Sequence, residues 1–398
     1  MKVIILFPNS FPFGGASTNR VIHIAKGLIE SGIETKVLIT RSTEKNTNNY
    51  NINISGCFEG INFQYLVKDL VWPTNILHRV LVLIKGFLKI LLILKKYKKE
   101  EIAVISTANY GYISHFILYI FLKIRKYPFI YTVDEFPWRI IHPQKYNRIF
   151  TEFYLRTFYK FFDGIVCISQ TLLDYYSNKV SSKCKLHLMP MTVEPEKFNC
   201  SKEKYLEEYI AYCGYDISYI NGKPYFKDGL EYLIRAFHIC VFKFNLTLKL
   251  YIIGENSDFF QHLVSSLNIT DKVKFIGHLS SNEIPLYLCN AKILALTRPD
   301  NKQAEGGFPT KLGEYLATGK PVIISKVGDV QQYLTDQVNA FLVEPGNIEQ
   351  ISIVIMKIVN DYVKAVDIGK NGRNLTTTEF SYKIQGKRLS KYLENFYC

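Results

Sequence analysis

The chain alternates between short unbroken apolar runs and longer stretches whose apolar residues recur every three or four positions. The first run, "KVIILF" (2–7), suits a strand buried on both faces of a parallel sheet. After a glycine-containing loop, "PNSFPFGGAST", residues 18–32 show helical spacing at Val21, Ile24, Ala25, Leu28 and Ile29, with Gly32 as the stop. "ETKVLIT" (34–40) is the next strand, which completes a βαβ unit. Further strands are predicted at 101–107, 128–134 and 163–169, with helical segments between them. Regular patterning lapses around "HLMPMTVEPEKF" (187–198). It resumes with strands at 209–215, 248–254, 272–279, 291–297 and 320–325, separated by helices at 228–241, 257–267, 282–290, 309–318 and 347–363.

This pattern predicts the α/β class, with two Rossmann-like doubly wound domains facing each other across a cleft. Ligands in such sheets sit outside the carboxyl ends of the strands. A length of 398 residues exceeds one ordinary core and fits that division. The expected boundaries are 1–198 for the first domain and 199–375 for the second, with 376–398 a C-terminal helix crossing back to the first. Hydrophobic content of 48% and charged content of 21% exclude wholesale disorder. The eight cysteines form no C-x-x-C pair, which is expected of free thiols in a reducing compartment, with neither a zinc site nor a disulfide frame. The opening apolar run is too short for a signal peptide, so a cytoplasmic setting is expected.

Net charge changes the picture of partners. The chain carries +14, and between Leu70 and Lys160 there are 15 Lys/Arg against 5 Asp/Glu. Such an excess calls for an anionic partner. In "HRVLVLIKGFLKILLILKKYKK" (78–99), His78, Lys85, Lys89 and Lys96 fall on one narrow stripe and almost everything else is apolar. With charges inside it, the run falls short of a bilayer span. It reads as a basic amphipathic helix lying at an anionic membrane surface, which gives a peripheral location at the inner face of the cell membrane. "ISHFILYIFLKIRK" (113–126) and "RIFTEFYLRTFYKFF" (148–162) add to the same half. The plainer alternative is that these helices cover a sheet and keep their lysines in water. Nucleic acid is not expected as a partner, because the basic stripe is interleaved with Leu and Ile.

The densest candidate chemistry is "GGFPTKLGEYLATGKPVI" (306–323). With Pro309 as the first helical residue, the free N–H groups of Thr310 and Lys311 form an anion site, and Lys311 adds a point charge. Glu314 lies one turn after Thr310 on the face that also holds Gly313 and Ala317, while Leu312, Tyr315 and Leu316 point to a core. A mid-helix glycine costs roughly 1 kcal/mol relative to alanine. Close approach by a ligand explains it, and so does packing of a capped surface helix; the pattern alone leaves both open.

The same residues resemble the donor-site segment of the retaining family 4 ("group 1") glycosyltransferases, which have the GT-B fold. "GGASTNRVIHIAKGLIESG" resembles their first loop and helix, and "MPMTVEPEKF" the entry to their second domain. "YIAYCGY…FKDGLEYLIRAF" (209–237) resembles the segment carrying a diphosphate-binding lysine, and 272–296 the nucleobase side. The resemblance implies that Glu314 binds the nucleotide ribose and that Phe308, Pro309, Thr310 and Lys311 line the sugar and diphosphate through their backbone. Gly306 and Gly307 precede them in the same donor loop. It implies that Lys227 holds the diphosphate, with Arg298 as a second cation, and that Gly14 and Gly15 close over the phosphates. His278 falls beside the expected nucleobase, where a backbone contact is implied, and His115 is expected to pack inside a helix. Two departures stand out. The family has a second glutamate eight positions before Glu314, where this chain has Gly306, with Glu305 one place further out. Tyr215 stands where the family usually has arginine, and the loop 215–226 is longer than usual.

The implied reaction is retaining transfer from a nucleotide-diphosphate sugar to a glycan or lipid-linked acceptor, in cell-surface polysaccharide or glycolipid biosynthesis. It is expected to run without metal or other cofactor, because fixed cations and helix N–H groups can take up the leaving diphosphate's charge. Asp134, in "YTVDEFPW", is the candidate acceptor-side carboxylate, or else a loop or cap carboxylate. A nicotinamide dehydrogenase is disfavoured, since "FGGAST" is not G-x-G-x-x-G and Arg41 follows the second strand. A nucleotide-sugar epimerase of the same fold and a catalytically inactive nucleotide-sugar or glycan-binding module remain as alternatives.

Overall fold

The computed structural model describes all residues except 46–50, 99–100, 108–111, 138–147, 200–206, 221–222 and 398. Lys99 of the basic run, Trp138, residues 221–222 of the long loop, and Cys200 and Cys398 therefore lie outside the described residues. The chain divides into two compact units, residues 1–192 with 382–398, and residues 193–381.

The first unit is built on an eight-stranded sheet. Its strands are β1 (Lys2–Phe7), β2 (Glu34–Ile39), β3 (Ser55–Phe58), β4 (Ile61–Tyr65), β5 (Ile102–Ser106), β6 (Phe129–Val133), β7 (Gly164–Cys167) and β8 (Lys185–Leu188). The spatial order is β3-β4-β2-β1-β5-β6-β7-β8, and every pair is parallel except β3–β4. Unbroken apolar runs fill the central positions because both faces are covered: residues 3–7 of β1 and all of β5 are buried. The first helix runs Ala16–Glu30 rather than from residue 18, and Gly32 (φ +80°) follows it as the stop. One face of the sheet is closed by that helix together with the last helix, Tyr382–Glu394, whose Leu389, Tyr392 and Leu393 join the core of Val3, Ile5, Ile24 and Leu28. Gly27 and Gly386 meet at the crossing of these helices. A β-carbon on Gly27 would lie 2.8 Å from the Gly386 Cα.

The second unit has a six-stranded, all-parallel sheet of β9 (Tyr209–Gly214), β12 (Lys249–Gly254), β13 (Val273–Gly277), β14 (Ile293–Leu296), β15 (Val322–Ser325) and β16 (Phe341–Val343). Its spatial order is β13-β12-β9-β14-β15-β16. The stretch expected as a long loop is instead a hairpin, β10 (Ile217–Ile220) against β11 (Lys223–Phe226). In each sheet the first strand of the unit has neighbours on both sides, so strand order reverses at β1 and at β9. Loops leaving those points carry Gly14 and Gly15 in one unit and Lys227 in the other.

Two sequence expectations need correction. The basic amphipathic helix spans Ile76–Leu94, so His78, Lys85 and Lys89 lie on it while Lys96 follows its end. Cys57, Cys167, Cys184, Cys213 and Cys240 are free thiols as expected, but Cys289 is disulfide-bonded. Pairing of that kind depends on approach in space, which cysteine spacing along the chain does not report. Among the described residues, no helix is long and apolar enough to cross a membrane.

Candidate functional site

The candidate residues of the second unit gather at the carboxyl ends of its central strands. β14 runs out into Thr297 and Arg298, and the Thr297 hydroxyl donates to the Gly229 carbonyl at 2.7 Å. Gly229 has φ +69°, and a β-carbon there would lie 2.1 Å from the Thr297 carbonyl oxygen. Only glycine allows that turn to sit so close, and the turn presents Lys227 and Asp228. The Asp228 carboxylate is buried. It accepts from the Tyr212 hydroxyl at 3.1 Å and from Lys311 Nζ, and it faces Arg298 Nε at 3.7 Å. Burial by itself would raise the Asp228 carboxyl, but Lys311 and Arg298 together hold it below the ordinary value. Arg298 Nε also lies 3.5 Å from the Lys227 carbonyl oxygen. Lys311 reaches this pair across Gly214, where a β-carbon would collide with its Nζ. Lys311 and Arg298, from distant parts of the chain, thus converge on one carboxylate beside Lys227.

Helix Thr310–Ala317 supplies the other half of the site. Pro309 stands just outside it at ψ 120°, so the helix begins one residue later than expected. The amides of Thr310 and Lys311 still form its amino end, while that of Leu312 donates to the Pro309 carbonyl at 3.1 Å. Tyr315 Oη accepts the Cys213 N–H at 2.8 Å and pins the helix to β9. Leu312, Tyr315 and Leu316 are core, as their spacing predicts. Glu314 is half-buried, and burial pushes its carboxyl up to about 7 against the pull of Lys311 and Lys197.

Other expected residues make their own local contacts. Phe308 is 3% exposed and packs on Tyr333 and Phe380, so only its backbone is available to a ligand. Gly306 and Gly307 are buried at the end of a short helix, Lys302–Gly306, capped by the Asn301 side chain. Glu305 lies in that helix, pairs with Lys302 at 2.5 Å and is 41% exposed. The exposed His278 meets the Tyr215 hydroxyl through Nδ1 at 3.1 Å.

In the first unit, Gly14 packs against Thr18, whose hydroxyl donates to the Ser10 carbonyl at 2.8 Å; a β-carbon on Gly14 would strike it. Gly15 caps the first helix and has open space where a side chain would project. Asp134 follows β6 and pairs through Oδ1 with Arg20 Nε at 3.3 Å. Arg20 is buried, and its Nη2 donates to the Met189 carbonyl at 2.6 Å. Burial lowers the Arg20 guanidinium, and Asp134 offsets this. His115 is fully buried among Phe129, Phe158 and Phe162, as its helical setting predicts. Sequence reasoning missed Tyr212, Asp216, Asp228 and Glu255. Asp228 adjoins a lysine already singled out, but nothing in the local pattern marks any of the four as buried.

Residues 217–375 match the model for "Glycosyl transferases group 1", and residues 13–197 match that for "Glycosyltransferase Family 4". The chain is 25% identical over 216 residues to the amylovoran biosynthesis glycosyltransferase AmsK of Erwinia amylovora, covering 53% of this chain and 51% of AmsK. It is 28% identical over 211 residues to the capsular polysaccharide biosynthesis glycosyltransferase CapM of Staphylococcus aureus, covering 51% of this chain and 53% of CapM. The chain thus spans about half the length of these curated relatives. The structure of Anabaena HepE in complex with UDP superposes with a TM-score of 0.69 at 15% identity, covering 99% of this chain and 100% of HepE. Its two sheets have the GT-B fold, and with one family matched on each half the chain belongs to the group 1 and family 4 glycosyltransferases.

Proposed function

We propose that this protein is a retaining, metal-independent glycosyltransferase that moves a sugar from a nucleotide-diphosphate donor to a hydroxyl of a glycan or lipid-linked acceptor. Polysaccharide or glycolipid assembly at a cell surface is the setting we favour, in line with the relatives' names. The observation that carries the reading is the convergence of Lys311 and Arg298 on Asp228, beside Lys227, with the amino end of the Thr310–Ala317 helix and Glu314 adjoining. Departure of the diphosphate develops negative charge, and fixed cations with oriented N–H groups stabilise it in the transition state. Glu314, once ionised, accepts from the ribose hydroxyls. The backbone of 306–311 lines the sugar, His278 lies toward the base, and Glu305 is assigned to the donor sugar. In the first unit, Asp134, held by Arg20, is the polar contact for the acceptor, and the open space at Gly15 suits close approach of a ligand.

A thermal-shift screen against UDP, GDP, ADP and CMP and their sugars, with Glu314→Ala alongside, tests this. Saturation at 100 times the dissociation constant stabilises by about 2.7 kcal/mol. A shift with one nucleotide that the variant loses supports the site, and no shift with any of them overturns it. Transfer measured with the donor so identified separates the enzyme from an epimerase and from an inactive binding module.

The same proposal includes peripheral attachment to an anionic membrane. Helix Ile76–Leu94 buries only Val82, Gly86, Ile90 and Leu94, and a β-carbon on Gly86 would lie 2.1 Å from the Thr40 carbonyl oxygen. Most of the rest faces outward, with Leu77 72%, Leu88 53% and Leu92 62% exposed among exposed lysines 85 and 89. Ile113, Ile124, Ile149 and Phe150 add exposed apolar area on two further helices of the unit. Apolar area of this extent beside lysines suits a lipid interface.

A further inference from the structure

The β10–β11 hairpin is inserted between β9 and Lys227, and both of its feet meet at one side chain. Asp216 is fully buried. Its Oδ1 accepts the Lys227 N–H at 2.8 Å and the Asp228 N–H at 2.5 Å, and its Oδ2 accepts the Leu230 N–H at 2.8 Å. Leu230 is the first residue of helix Leu230–Phe244, so this carboxylate occupies the amide cluster that opens the helix. A second buried carboxylate supports it from the neighbouring strand. Glu255, directly after β12, accepts the Asp216 and Ile217 N–H groups on Oε2 at 2.9 and 3.1 Å. Its Oε1 accepts those of Asn256 and Ser257 at 3.1 and 3.0 Å. Seven backbone donors thus converge on two carboxylates at adjacent strand ends.

We propose that Asp216 is a positioning residue for diphosphate binding: it fills the amide cluster at the start of helix Leu230–Phe244 and so fixes the turn that presents Lys227 and Asp228. This rests on the reading of the second unit as the donor site. One consequence is that those amides are already satisfied by an internal anion. The donor's phosphates are then left to Lys227, Arg298, Lys311 and the amino end of helix Thr310–Ala317. A second is that the isosteric amide is a poor substitute, because its NH2 group would face an N–H donor and the charge-assisted bonds are lost.

The test is calorimetric titration of UDP, GDP and ADP in turn into the wild type, Asp216→Asn, Asp216→Gly and Glu255→Gln. With the nucleotide that the wild type binds, we expect at least a tenfold loss of affinity in Asp216→Asn and a smaller loss in Glu255→Gln. In Asp216→Gly, formate can re-enter the emptied cluster and should restore affinity several-fold while leaving the wild type unchanged. A folded Asp216→Asn that binds as tightly as the wild type overturns the inference. Should Asp216→Asn fail to fold, Asp216→Gly decides: formate that restores fold and affinity together supports the inference, and formate that restores fold alone overturns it. A wild type that binds none of the three nucleotides overturns the donor-site reading and this inference with it.

Discussion

Lys311 and Asp228, far apart in sequence, form an ion pair at the end of β9, and Lys311 is the more exposed partner (21% against 7%). Asp228 is therefore the group with more to lose when the pair is broken. Lys311→Ala leaves its carboxylate with Tyr212 and the more distant Arg298, a partial compensation. We expect a stability loss of about 2–4 kcal/mol, read as a lower unfolding temperature of the second unit by calorimetry. Because the Asp228 carboxyl is held below its ordinary value, its contribution is present above the unfolded-state value and is lost as pH falls through the folded-state value. Asp228→Asn should flatten that acid limb; an unchanged limb would argue against the pair.

Glu314 has the opposite sign. Its folded-state value of about 7 lies above the ordinary 4.5, so the folded chain holds a proton that the unfolded chain releases. That contribution is fully present below about 4.5 and is lost as pH rises through about 7. Glu314→Gln should therefore gain on the wild type between pH 5 and 8, by on the order of 2 kcal/mol. On the proposed donor-site reading, ribose hydroxyls donate to the ionised carboxylate, so nucleotide affinity should strengthen over the same rise in pH and stay flat in the variant. Unfolding measured at pH 5 to 8 reads the first, and titration calorimetry at pH 6, 7 and 8 reads the second.

Gly27 and Gly386 let the first and last helices of the first unit cross at backbone contact. A β-carbon on Gly386 would lie 2.3 Å from the Gly27 Cα, a distance that real structures do not tolerate. Gly386→Ala forces the helices apart and should destabilise by about 1–3 kcal/mol despite alanine's better helix propensity. Denaturant unfolding of the variant measures it, and a stabilised variant would refute the crossing.

Leu88 projects from the lysine-bearing helix Ile76–Leu94, away from the residues that helix buries. Leu88→Glu, with Leu81→Glu as a partner substitution, should leave stability within about 0.5 kcal/mol of the wild type. Both should reduce sedimentation with vesicles containing anionic lipid at low salt, and high salt should weaken wild-type binding. Equal sedimentation of variant and wild type would remove the membrane reading.

Much of this architecture was legible along the chain. β1, β5, β9, β12 and β14 are built on unbroken apolar runs, and a strand covered on both faces can hardly be anything else. Helix Thr310–Ala317 was legible from its proline, its apolar face and Glu314, to within one residue at its start. The strands that went unread carry no long apolar run: Ser55–Phe58 and Ile61–Tyr65 mix polar with apolar residues, and Phe341–Val343 is only three residues long. The inserted hairpin was read as a loop for the same reason.

What the sequence determined by itself was the two-sheet α/β class, the order of its longer apolar strands and the segment that bears Lys311 and Glu314, because period and apolar continuity are local properties of the chain. What only the tertiary structure decided was which charges meet. Lys311 and Asp228 are 83 positions apart, Arg298 and Lys227 are 71, and Glu255 and Asp216 are 39. A carboxylate's partners and burial are set by elements brought together in space, and no spacing along the chain encodes the desolvation that gives Asp216, Asp228 and Glu314 their chemistry.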